Sequence, residues 1–109
     1  MSMEKGLSHE ELQSEMDLLG RLKNKELMAY RELIDLYYGF VHMIAYELHN
    51  DEEMADQYVM EVFAHVWNYA EGIRFKGTIK QYLFKLIYAK YQRYISILPE
   101  AKEVISDLS

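Results

Sequence analysis

Apolar residues recur at helical spacing along most of the chain, and the breaks between the runs carry capping residues. Leu12, Met16 and Leu19 form the first run. Just ahead of it, Ser8-His9-Glu10-Glu11 reads as a capping box, in which the Ser hydroxyl and the Glu carboxylate satisfy exposed backbone N–H groups. A first helix is therefore predicted from about Ser8 to Arg21 or a little beyond. Asn24 is placed to cap a second helix with the stripe Leu33, Leu36, Tyr37, Phe40, Ile44 and Leu48, ending near His49. Gly39 inside this stripe predicts a bend or a close neighbour.

Asn50 reads as the N-cap of a third helix, with Asp51, Glu52 and Glu53 in the first turn, where the helix dipole favours acid. Its inward face is predicted to be Ala55, Val59, Val62, Val66 and Tyr69, with Gly72 ending the helix. Phe63 and Trp67 read as core or semi-core. Thr78-Ile79-Lys80-Gln81 is a second capping box and opens a fourth helix to about Ser96. Ile79, Leu83, Leu86, Ile87 and Tyr94 should face inward, while Lys80, Phe84, Tyr88 and Gln92 recur every four residues on another face. Pro99 stops that helix. The expected architecture is an all-α bundle of about four helices over residues 1–97, with 98–109 as a linker or tail.

Composition narrows the class. A chain of 109 residues, half of them hydrophobic, fits one ordered domain with a modest core. The absence of Cys excludes disulfides, thiolate metal sites and cysteine nucleophiles, and fits a cytoplasmic location. No apolar run approaches the roughly 18 residues a membrane span needs.

Charge changes the picture more. From Arg74 to Ser96 the sequence holds six cations (Arg74, Lys76, Lys80, Lys85, Lys90 and Arg93) and no acid, interleaved with six aromatics. Residues 1 to 73 carry five Lys/Arg against fifteen Asp/Glu, and residues 97 to 109 carry one against three. The local charges of −10, +6 and −2 make up the net −6. A field segregated in this way points to a surface that meets a polyanion, and the rings among the cations point to stacked bases as well as neutralised phosphates. The bland alternative is a surface helix with solvated lysines and buried tyrosines.

The stretch AYRELIDLYYGFVHMIAYELHNDEEMADQYVMEVFAHVW, from Ala29 to Trp67, resembles the second conserved region of bacterial sigma factors, in particular the small extracytoplasmic-function (ECF) group of the sigma-70 family. Ala29-Tyr30-Arg31-Glu32-Leu33 through Tyr37-Tyr38 is similar to the opening helix of that region. Ala55-Asp56-Gln57-Tyr58-Val59-Met60-Glu61-Val62-Phe63 with Trp67 is similar to its next helix. Phe75-Lys76-Gly77 and Tyr82-Leu83-Phe84-Lys85-Leu86 are similar to the elements that follow. The likeness covers roughly residues 18 to 96. Departures include Met60 where the family has Gln and Tyr82 where it has Trp.

The resemblance implies a domain that links core RNA polymerase to promoter DNA. It places contacts to the clamp helices of the polymerase β′ subunit on Asp56, Gln57, Met60 and Glu61. It places contacts to the single-stranded promoter −10 element on Arg74, Phe75, Lys76, Lys80, Tyr82, Lys85, Tyr88 and Lys90. An anti-sigma factor is a further partner of such domains. The competing reading is a sigma-like interaction module that binds an anti-sigma factor or polymerase without recognising DNA.

An enzyme is not expected, because no nucleophile–base pair and no phosphate-binding glycine loop stands out. Consecutive carboxylates at Asp51-Glu52-Glu53 point apart on a helix, and capping explains them. His42 and His49 are seven residues apart, about 10 Å along a helix, too far to share one ion. No metal and no cofactor are predicted.

Overall fold

The structure, a computed structural model, describes residues 7–73 and 77–98. It is an all-α bundle of four helices, with no strand among the described residues. They are α1 (His9–Lys23), α2 (Leu27–His49), α3 (Glu52–Asn68) and α4 (Ile79–Ser96), with a single 3₁₀ turn at Ala70–Gly72. None of these helices is long and apolar enough to cross a membrane. Arg74, Phe75 and Lys76 of the predicted basic loop lie outside the described residues, as does the segment from Pro99 onward.

Both capping boxes form as the sequence predicts. Ser8 Oγ accepts from the N–H of Glu11 at 3.1 Å, and the Glu11 carboxylate accepts from the N–H of Ser8 at 2.9 Å. Thr78 and Gln81 repeat the exchange at 3.1 and 3.0 Å. The two asparagines do something else. Asn24 is not the N-cap of α2; it closes α1. After it, Lys25 takes the left-handed conformation at φ 60°, the N–H of Glu26 donates to the carbonyl of Arg21, and that of Lys25 donates to Leu22. This pair of bonds is the Schellman ending, usually completed by glycine. Here the lysine is held instead by its own side chain, whose ammonium donates to the Trp67 carbonyl and lies 4.7 Å from the Trp67 ring centroid. Asn50 likewise ends α2 in the left-handed region (φ 52°), leaving Asp51 to cap α3 by accepting from Glu53 and Met54. Asparagine tolerates that conformation better than most residues, so a helix stop and the next start share two adjacent positions.

The central helix is α2, which packs against α3, α4 and α1. Its most buried positions are Ala29, Leu33, Val41 and Ala45 rather than the large apolar side chains alone. Small residues at these points let the neighbouring helices approach closely. Tyr37, Phe40, Ile44 and Leu48 pack around that seam, but Leu36 points outward and is 59% exposed. Gly39 neither admits nor contacts a neighbour, since a Cβ there would meet nothing. On α3 the buried set is Ala55, Tyr58, Val59, Val62, Phe63 and Val66, and Trp67 packs at the margin. The predicted Tyr69 is instead 61% exposed, because α3 stops at Asn68 and the 3₁₀ turn intervenes before Gly72. Ile79, Leu83 and Ile87 bury the inner face of α4, flanked by half-buried Leu86 and Tyr94.

One carboxylate ties three helices together. Glu15 on α1 accepts the first N–H of α4, from Ile79, at 2.8 Å through Oε1, and the Tyr37 hydroxyl of α2 at 3.0 Å through Oε2. A negative charge at the opening of α4 also suits that helix's dipole. Burial and then the Glu15 carboxylate push the Tyr37 phenol far above its ordinary range, so it stays a donor. Glu15→Ala removes two charge-assisted bonds and leaves a half-buried donor unpaired. It is expected to cost about 2–3 kcal/mol, read as a lower urea midpoint, with Glu15→Gln recovering much of the loss.

Candidate nucleic-acid interface

The helix that carries the basic segment is seated at both its start and its inner face, which fixes what its outer face presents. Gly77, at φ 110°, turns the chain into Thr78, and a Cβ there would lie 2.0 Å from the Gln81 side-chain oxygen that completes the cap. Only glycine fits this turn. From that fixed start, the 3.6-residue period sends Leu83 and Ile87 into the core and Lys80, Phe84, Tyr88 and Gln92 to solvent.

Phe84 and Tyr88 are 47% and 48% exposed and stack on each other, with ring centroids 6.2 Å apart and planes 13° from parallel. Lys80 begins the same ridge, its ammonium 5.4 Å from the Phe40 ring centroid. Lys85, exposed, lies three residues before Tyr88 and so beside it on the helix surface. Neither Lys80 nor Lys85 forms an ion pair with a carboxylate among the described residues. The arrangement offers two exposed ring faces beside two ammonium groups that no carboxylate among the described residues holds in an ion pair, on a helix with no acidic residue.

Of the predicted DNA-contacting residues, Lys80, Lys85 and Tyr88 thus share one surface. Tyr82 and Lys90 do not. Tyr82 is half-buried at the core margin, facing the shallow cleft it lines with His65 and Tyr69, and burial pushes its phenol up. Lys90 turns toward α3, where it forms an ion pair with Glu61 and sits 5.2 Å from the Tyr58 ring centroid. Burial, and then the nearby Arg93, push its ammonium below the ordinary lysine range even though Glu61 holds it. Phe84 is the member of the ridge absent from the predicted contacts. Its spacing of four residues from both Lys80 and Tyr88 is the signal that marks it.

The second predicted set lies on α3. Asp56, Gln57, Met60 and Glu61 are all exposed and share one side of the helix, with Met60 70% exposed between the polar groups. Two of the four are engaged within the chain. Asp56 approaches His42 on α2 at 3.4 Å, and Glu61 holds Lys90. Gln57 and Glu61 also line an open cleft between α3 and α4 with Lys90, Arg93 and Tyr94. At the floor of that cleft Tyr58 is buried, its hydroxyl without a hydrogen-bond partner among the described residues. Burial, followed by the phenols of Tyr91 and Tyr94, pushes its pKa up to about 12.

Set against models of known protein families, curated proteins and solved structures, the chain finds no match in any of the three.

Proposed function

We propose that this domain binds single-stranded nucleic acid along the outer face of α4 while its α3 face contacts a protein, in the manner of an ECF sigma factor that joins core RNA polymerase to the melted −10 promoter element. The observation that carries the reading is the exposed Lys80–Phe84–Tyr88 ridge with Lys85 beside it. Stacked rings left in water have an apolar area to cover, and unpaired bases cover it, each adding about 1–3 kcal/mol. Ammonium groups on either side suit the phosphates that such bases bring with them. The physical work is phosphate neutralisation and stacking, offset by the cost of separating the duplex.

The exposed side of α3, with Met60 among polar groups, is the part suited to a helical protein partner such as the polymerase clamp. An anti-sigma factor would compete for the same kind of surface.

The test is a fluorescence-anisotropy titration of the protein into a labelled single-stranded −10-type oligonucleotide at several salt concentrations. If two to four phosphates are neutralised, log K falls linearly with log salt with a slope between about −1.4 and −2.8. Absence of binding at low salt overturns the nucleic-acid reading. It would leave the competing one, a module that binds only polymerase or an anti-sigma factor, to be tested by co-purification with core polymerase.

A further inference from the structure

A cluster of ligating side chains sits apart from the α4 ridge, where the middle of α2 meets the first two turns of α3. His42 Nε2 lies 3.1 Å from Glu52 Oε1 and 3.4 Å from Asp56 Oδ1. One ligand atom from each of the three residues falls within 4.8 Å of the others. Glu52 and Asp56 are four residues apart and share one side of α3, so both carboxylates point toward the same imidazole. The imidazole is also aimed: His42 stacks between Tyr38 and Tyr46, with each pair of planes 12° from parallel. These rings, one turn before and one turn after on α2, orient Nε2 toward α3.

We propose that His42, Glu52 and Asp56 form a binding site for a divalent transition-metal ion such as Zn²⁺. Bonds of 2.0 to 2.2 Å from zinc to nitrogen and oxygen place the ligands of a tetrahedral site about 3.3 Å apart. The two separations from Nε2 bracket that value, and the three ligand atoms, which lie within 4.8 Å of one another, would draw together on the ion through rotation of the exposed carboxylates. One nitrogen and two carboxylate oxygens are a donor set that zinc accepts. The two carboxylates carry negative charge that a dication would offset. Glu52 and Asp56 are well exposed while His42 is largely covered, which gives the ion an open approach and leaves its remaining positions to water. The ion would join α2 to α3 across their connection at Asn50 and Asp51. The site does not depend on the nucleic-acid reading and stands or falls separately from it.

The experiment is calorimetric titration of the untagged, full chain with zinc chloride, paired with thermal denaturation. Saturable one-site binding is expected, with the thermal midpoint rising by about 4 °C or more in excess zinc. His42→Ala should abolish it, and Glu52→Gln and Asp56→Asn should each weaken it by about tenfold or more. Should His42→Ala fail to fold by circular dichroism, the two near-isosteric variants carry the test. His65→Ala, on the exposed part of α3, should bind as the parent does. Equal affinity in parent and His42→Ala would assign the ion to another histidine and overturn the proposal. So would equal affinity in Glu52→Gln and Asp56→Asn, or the absence of saturable binding at millimolar zinc.

Discussion

Reversing two charges, Lys80→Glu together with Lys85→Glu, is expected to lower affinity for a single-stranded oligonucleotide on the order of 100-fold or more at low salt while the helical circular-dichroism signal stays the same. Both ammonium groups are exposed and neither is tied to a carboxylate among the described residues, so replacing them breaks no ion pair. Lys80 gives up its position over the Phe40 ring, a contact of about 0.5–1 kcal/mol. Against this, an acid in the first turn of α4 suits the helix dipole, so the fold loses little. The binding loss has two sources: phosphates no longer neutralised, and carboxylates that repel them. A companion variant, Phe84→Ala with Tyr88→Ala, separates charge from stacking. It should weaken binding by about 1–3 kcal/mol per stacked base while leaving the salt slope unchanged. Undiminished affinity in the charge-reversed protein would remove the α4 ridge from any account of nucleic-acid binding.

The second large effect concerns stability. Leu83→Ala should destabilise the domain by about 2–5 kcal/mol, a substantial part of the 5–15 kcal/mol, or thereabouts, that holds a domain of this kind together. Leu83 has no exposed surface and lies between Ile79 and Ile87 on the face of α4 that closes the core. Truncation leaves a cavity bounded by helices that cannot fully collapse into it. Leu36→Ala is the matched comparison: the same chemical change at an exposed position should shift stability by less than about 0.5 kcal/mol. Urea unfolding followed by circular dichroism reads both. A Leu83→Ala loss under about 1 kcal/mol would mean that α4 is not packed as described.

How far the fold was legible follows from which signals are local. Capping boxes are exchanges between residues three apart, and both formed as the sequence implied. The inner face of α4 was equally plain, because one helix against one core obeys a single period. On α2 the same reasoning misplaced Leu36 and passed over Val41 and Ala45. A helix with neighbours on several sides has a wide apolar face, and its deepest points go to small residues that hydrophobicity alone undervalues. Asn24 and Asn50 show a different limit. Asparagine favours both the start of a helix and the left-handed residue that ends one, so sequence does not separate the two roles when helices follow each other closely. Tyr69 fell outside its predicted face because a period cannot foresee where a helix yields to a tighter turn.

Of the candidate site, the every-fourth-residue ridge of α4 is legible in the sequence alone. The inward turns of Tyr82 and Lys90 depend on where α3 lies, which no local pattern encodes. The meeting of His42 with Glu52 and Asp56 is of the same kind: ten and fourteen residues apart, on two helices, with no spacing rule to announce it.

Glu15 has a practical bearing on where this unit can be cut. A fragment trimmed to begin near residue 18 keeps α2, α3 and α4 whole. It would lack the carboxylate that receives the leading amide of α4. Lys80 stands one position after that amide, so the outer ridge of α4 would lose its anchor at the end where it starts. The smallest piece that keeps α4 seated therefore reaches back into α1, and the instability of a shortened version would report a missing buttress.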